Sequence, residues 1–217
     1  MGGSLKILYE DNHIIVVVKP VNVLSQEDNT KDLDMLSMIK AYIKEKYNKP
    51  GNVFVGLVHR LDRMTSGVMV FAKTSKGASR LNEQIRDNEF LKKYYALVEG
   101  QTNKKGELIN YLYKNEKEVK SYVTSDPNKG KLSILRYETE KTGKNQSLLD
   151  IELITGRHHQ IRVQFANINH PLVGDTLYGS KSKANIKLHA YYLSFKHPIT
   201  KEKMEFIEYP HWKDEEI

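Results

Sequence analysis

"SLLDIELITGRHHQIRVQFANI", residues 147–168, changes its period half-way along. Leu149, Ile151 and Leu153 alternate with Asp150 and Glu152, the pattern of a half-buried strand. Beyond Gly156 the apolar positions Ile161, Phe165 and Ile168 fall on one helical face, and Arg162 projects beside them. The same contrast recurs outward in both directions. Downstream, "KLHAYYLSFKHP" (187–198) alternates until Pro198 ends it. Upstream, "KKYYALVEG" (92–100) reads as a strand in which Tyr94 and Tyr95 face opposite ways, and "SKGASRLNEQIRDNEF" (75–90) reads as a helix with Ala78, Leu81 and Ile85 together. "GVMVFAK" (67–73) and "IIVVVKP" (14–20) are apolar strands. "DLDMLSMIKAYIKEKY" (32–47) is an amphipathic helix with Thr30 or Asp32 as N-cap and Pro50–Gly51 as stop. The polar, lysine-rich run 101–130 is broken by Gly106, Pro127 and Gly130, which suggests hairpins or loops at one edge. Several strands follow one another without a βαβα rhythm, so the expected class is α+β with a mixed, mainly antiparallel sheet and flanking helices. With no repeat and no clear linker, residues 1–217 are read as a single domain with its core at about 7–213.

Composition narrows the chemistry. There is no cysteine among the 217 residues, which removes disulfides, thiolate nucleophiles and cysteine-ligated metals. The first residues lack the features of a secretory signal and no apolar run approaches a membrane span, so a cytoplasmic protein is expected. The excess of 34 Lys and Arg over 27 Asp and Glu gives +7, which fits a polyanionic partner without requiring one. No "HExxH" occurs, and adjacent His158 and His159 on a helix would point apart, so no metal is expected; no phosphate-binding glycine loop appears, so no nucleotide cofactor is expected.

One acid stands out. In "GLVHRLDRMTSG" (56–67), Asp62 lies between Arg60 and Arg63, whose charges favour its ionised form. It suits a nucleophile or base better than a proton donor. No second acid shares the motif, which argues against the paired carboxylates of a glycosidase. Glu27, Asp28, Glu83, Asp87 and Asp175 read as solvated or turn-capping groups. In "TGRHHQIR" (155–162), a glycine followed by an arginine-opened helix offers backbone N–H groups and cations to an anion such as a phosphate backbone.

Together, "GLVHRLDRMTSGVMVFAK", "KKYYALVEG", "TGRHHQIRVQ", "HPLVGDTLYG" and "LHAYYLSFKHP" occur in the order seen in the RluA-type RNA pseudouridine synthases, and "ILYEDNHIIVVVKP" resembles that family's first strand and Lys-Pro corner. The resemblance spans roughly Ile7 to Pro198. It implies the pseudouridine synthase catalytic fold with its active site in a central cleft, a form without an N-terminal S4 domain, and isomerisation of uridine to pseudouridine in rRNA or tRNA with no cofactor or metal; since no long exposed apolar stripe is evident, a monomer is expected. By the same resemblance Asp62 is the catalytic aspartate. Tyr94 packs on the target base, and Arg162 pairs with Asp62. Arg60 helps fill the space left by a flipped base, with His59 and Thr65 shaping the loop, and Arg157, His159 and Gln160 join Arg60 and His59 as RNA-contact residues. Asn22 stands where many relatives have glycine, and the turn should survive because asparagine tolerates positive φ. Gln164 and His158 also depart from the usual residues, which points to altered RNA contacts. The run Lys114–Lys131 is a further candidate RNA surface. Two other classes stay open: a non-catalytic RNA-binding protein that retains the fold, and a nucleoside hydrolase, which should show a second catalytic carboxylate.

Overall fold

The structure is a computed structural model that describes residues 5–217. In chain order its elements are β1 (Lys6–Glu10), β2 (Ile14–Lys19), α1 (Met35–Lys46), β3 (Gly56–Leu57), β4 (Ser66–Ala72), α2 (Ser75–Arg86), β5 (Leu91–Glu99), β6 (Lys105–Asn115), β7 (Lys120–Thr124), β8 (Lys131–Thr142), β9 (Gln146–Leu153), α3 (Gln160–Asn167), β10 (Leu188–Lys196) and β11 (Lys203–Ile207). The chain divides into two compact units, residues 1–90 with 192–208, and residues 91–191 with 209–217. The class is the expected mixture of helices with mainly antiparallel strands.

In the first unit β2 is the buried strand its sequence announces. Ile14, Ile15, Val16 and Val17 are all fully buried, so apolar residues occupy both faces. It pairs antiparallel with β1 on one side and β4 on the other, in a register that sets Val16 opposite Val70. The core joins Ile14, Val16, Val68, Val70 and Ala72 to Leu81 of α2 and to Leu193 and Phe195. Helix α1 starts later than its periodicity suggests. Its cap is Asp34, extended at φ −133°, whose carboxylate accepts from the Ser37 N–H at 3.1 Å; Leu33 is left half-exposed outside the helix. Thr74 caps α2 by accepting from the Gly77 N–H.

In the second unit the strands lie in the order β5-β9-β8-β6-β7, each neighbouring pair antiparallel. The lysine-rich run does form a hairpin at an edge, but β6 is a long strand bonded along its length to β8. Directly opposed residues share a face, so Tyr94, Ile151 and Tyr137 form one row across β5, β9 and β8. Phe165 of α3 packs edge-on against Tyr137, with ring centroids 5.3 Å apart. Tyr94 therefore lies on the sheet face that carries α3. Tyr95 points the other way, to Tyr191 (4.4 Å between centroids) and Tyr209 (6.1 Å).

Candidate active site

In the first unit, Asp62 sits half-buried on a loop that closes as a turn, with the Thr65 N–H donating to the Asp62 carbonyl at 3.0 Å before β4 begins. The loop is gripped through its backbone from the segment after β2. Ser25 both donates its hydroxyl to the Leu61 carbonyl (2.7 Å) and accepts from the Leu61 N–H (3.1 Å). The Asn22 N–H donates to the Arg63 carbonyl at 2.9 Å, from a left-handed conformation at φ 66°. Asparagine accommodates it, as its sequence position suggested. Beneath them Lys19 is fully buried, and its ammonium donates to the carbonyls of Pro20 (2.9 Å), Val23 (2.6 Å) and Arg63 (3.1 Å). Burial pushes the Lys19 pKa down to about 7, and the charge of Asp62 opposes that shift. The carbonyls oppose it too, because only the ammonium has a proton for each of them.

The other residues of the motif divide by exposure. His59 Nε2 accepts from the Val70 N–H at 3.1 Å, so His59 ties the loop to β4, and Thr65 is buried. Arg63 turns outward to Asp32 at 2.7 Å, an exposed pair. Arg60 is exposed and, among the described residues, has no hydrogen bond or ion pair.

In the second unit Arg162 is buried, and its guanidinium forms a two-pronged pair with Asp175: Nε donates at 2.6 Å to one carboxylate oxygen and Nη2 at 2.8 Å to the other. The Tyr178 ring lies 5.1 Å from the guanidinium carbon, a cation–π distance. Asp175 is only 1% exposed and is thus a buried counter-ion rather than a simple turn cap. Both partners come from "GDTLYG", and the run needs its first glycine. Gly174 has φ +85°, and a Cβ there would lie 2.5 Å from the Ala184 and Asn185 carbonyl oxygens. No local pattern marks Asp175; only its place in the "HPLVGDTLYG" motif offered a signal.

The "TGRHHQIR" segment forms a turn before α3, where sequence periodicity had continued the helix. His159 at φ 52° is its N-cap, and α3 begins at Gln160. Gln160 is almost fully buried and holds this turn: its oxygen accepts from the Thr155 hydroxyl (2.8 Å) and the Arg157 N–H (3.0 Å), and its amide donates to the Ile134 carbonyl (3.1 Å). The expectation that His158 and His159 point apart on a helix is corrected by the same turn, since their rings stack with centroids 3.8 Å apart. His159 shares a hydrogen bond with the Tyr178 hydroxyl at 3.0 Å, and burial, reinforced by the Arg162 charge, pushes its pKa down to about 2. Arg157 is exposed and donates from Nε to the Leu132 carbonyl at 3.1 Å. Gln164 is fully buried and donates to Asn110 Oδ1 at 2.9 Å, so that departure braces α3 against β6. Tyr94 is 6% exposed on the α3 face.

The described residues thus include a two-pronged Arg162–Asp175 pair, Asp62 on a backbone-gripped loop and Tyr94 on a sheet face. The model of the RNA pseudouridylate synthase family matches residues 13–167. The chain belongs to that family. It is 32% identical over 215 residues to ribosomal large subunit pseudouridine synthase D of Zymomonas mobilis, covering 93% of this chain and 68% of the relative. It is 36% identical over 210 residues to ribosomal large subunit pseudouridine synthase C of Buchnera aphidicola, covering 91% and 64%. The chain thus spans about two thirds of the length of these relatives. Its fold matches the human RNA pseudouridylate synthase domain containing 4, with a TM-score of 0.80 at 19% identity over 96% of this chain and 90% of that one. Among the described residues no helix is long and apolar enough to cross a membrane.

Three outcomes follow. Lys19→Met removes the donor shared by the Pro20, Val23 and Arg63 carbonyls and lowers stability by about 1–3 kcal/mol in urea unfolding. Asp175→Asn removes the two-pronged carboxylate from a buried guanidinium and lowers stability by about 3–5 kcal/mol in urea unfolding. A histidine held neutral when folded binds a proton only on unfolding, so the His159 contribution is full above its unfolded pKa near 6.5 and is lost as pH falls toward 2. Unfolding measured from pH 7 to 4 shows a slope component of up to about 1.4 kcal/mol per pH unit that His159→Asn removes.

Proposed function

We propose that this pseudouridine synthase isomerises uridine in large-subunit ribosomal RNA, with Asp62 as the ionised catalytic carboxylate and Tyr94 and Arg162 as its other catalytic residues. The observation that carries the reading is the agreement between the family match and the loop that presents Asp62, a carboxylate that the Arg60–Thr65 backbone aims while its side chain stays half-buried. The relatives named above are ribosomal large-subunit enzymes, which favours that RNA over transfer RNA.

The chemistry assigns each group a task. A carboxylate without an acid partner suits a step in which the glycosidic bond opens, uracil turns and C5 takes the place of N1 on the sugar. The base is neither hydrolysed nor released, so a water-activating second acid has no role. Arg162 is assigned to hold Asp62 ionised, as the resemblance implies, and Asp175 keeps the Arg162 side chain in place by a two-pronged bond. Tyr94 stacks on uracil. Arg60, exposed and without a partner among the described residues, fills the stack after the uridine leaves it, offsetting part of an extrusion cost of a few kcal/mol. His59, His159 and Gln160 serve RNA binding by fixing the shapes of the loops that carry Arg60 and Arg157. The same reading includes a cytoplasmic monomer of one catalytic domain that needs no metal or cofactor.

Maps of pseudouridine in cellular RNA with and without the gene test the substrate, with loss expected at one or a few large-subunit positions and none in transfer RNA. Asp62→Asn is expected to abolish restoration of those positions by at least about 10³-fold in rate while RNA affinity persists. Activity unchanged by EDTA is expected from a metal-independent reaction. An Asp62→Asn chain that restores the positions at the normal rate sinks the catalytic assignment, and a chain that binds RNA but changes no position supports the binding-protein alternative.

A further inference from the structure

Lys92 is a cation that the described residues leave without a partner. It lies two residues before Tyr94 on β5, so the side chains share a face about 7 Å apart along the strand. Its ammonium reaches the turn before α3, where a Cβ on Gly156 would be 3.7 Å from Nζ. Gly156 itself is exposed, so the ammonium lies beneath a loop open to solvent and uncovered by any side chain at that position. Among the described residues Lys92 makes no hydrogen bond and no ion pair. Its pKa is lowered, and burial alone is the cause, with no neighbouring carboxylate acting on it. The contrast with Lys93 is informative: that side chain points to the opposite face and reaches Asp150 at 3.5 Å.

A half-buried ammonium without an acceptor carries a desolvation cost that a bound anion offsets. The adjoining residue supplies a second cation. Arg157 uses Nε on the Leu132 carbonyl, and the rest of its guanidinium has no other partner among the described residues. Two cations thus stand at a glycine that lets a ligand approach the backbone, and Lys92 shares its sheet face with Tyr94.

We propose that Lys92 and Arg157 bind one backbone phosphate of the RNA beside the target uridine, with Lys92 setting that phosphate against the face of β5 that carries Tyr94. The proposal rests on RNA being the substrate. It makes Lys92 a binding residue, distinct in role from the reacting groups.

The test uses the full chain and a transcript of large-subunit ribosomal RNA, with Lys92→Met and Lys92→Arg compared with the unaltered protein. Removing one phosphate contact is expected to weaken RNA binding about tenfold and to reduce the slope of log affinity against log salt concentration by about 0.7–0.9. Lys92→Arg keeps the slope, and kcat of Lys92→Met stays within about twofold while KM rises. Lys92→Met is expected to be as stable as the unaltered chain or more so, because it buries no charge. An oligonucleotide with a single neutral methylphosphonate beside the uridine weakens binding to the unaltered protein and has no effect on Lys92→Met. Unchanged affinity and salt slope in Lys92→Met overturn the proposal, as does a loss of stability in place of a loss of binding. An unaltered chain that binds the transcript with the expected slope yet forms no pseudouridine contradicts the function proposed above and leaves the phosphate contact standing.

Discussion

The loop that carries Asp62 is held through its backbone. In this chain the holding is done from beneath. Lys19, Asn22 and Ser25 bond to the carbonyls and N–H groups of Leu61 and Arg63, the residues on either side of Asp62. The ammonium of Lys19 can be buried because three carbonyls take its protons, and its position depends in turn on β2 being apolar on both faces. A run of valines and isoleucines thus fixes where a charged group can sit, and that group holds the loop that carries Asp62.

The second unit solves a related problem for a guanidinium. Arg162 would be costly to bury alone, and Asp175 and Tyr178 of one short run cover its charge and its flat face. The same tyrosine hydroxyl meets His159 and accepts the Ser121 N–H, so the turn before α3, the arginine and the β7 strand are tied through one oxygen. Sheet alternation then sorts the tyrosines. Tyr94 belongs to the α3 face, while Tyr95 is packed among Tyr191, Tyr209 and Lys213 on the other.

Strands β2, β4, β5, β9 and β10 and helices α1, α2 and α3 could be read from period alone, because their patterns are strongly marked, whereas β8 and β11 were not read at all. Helix starts could not be read from period. Side-chain periodicity ran through residues 157–159, whereas the Thr155 hydroxyl and the Gln160 amide pull that segment into a turn, a choice made by side-chain hydrogen bonds that hydropathy does not register. Asp62 was legible because its motif is dense and local. Asp175 and Lys92 were not, since the meaning of each lies in what stands opposite it: a buried arginine in one case, and no carboxylate in the other. Gln160 and Gln164 look like polar surface residues on a helix, yet both are buried braces, identified only once β6 and β8 are seen beside them.

The central claim is that an ionised Asp62, on a loop fixed by backbone bonds, moves uracil from N1 to C5 of the same nucleotide without releasing it. Incubation with large-subunit ribosomal RNA tritiated at uracil C5 tests this most directly, since C5 loses its hydrogen only if it becomes the new point of attachment. The account predicts stoichiometric release of tritium to water with no free uracil, and no release by Asp62→Asn. Free uracil in place of tritiated water, or release undiminished in Asp62→Asn, would contradict it.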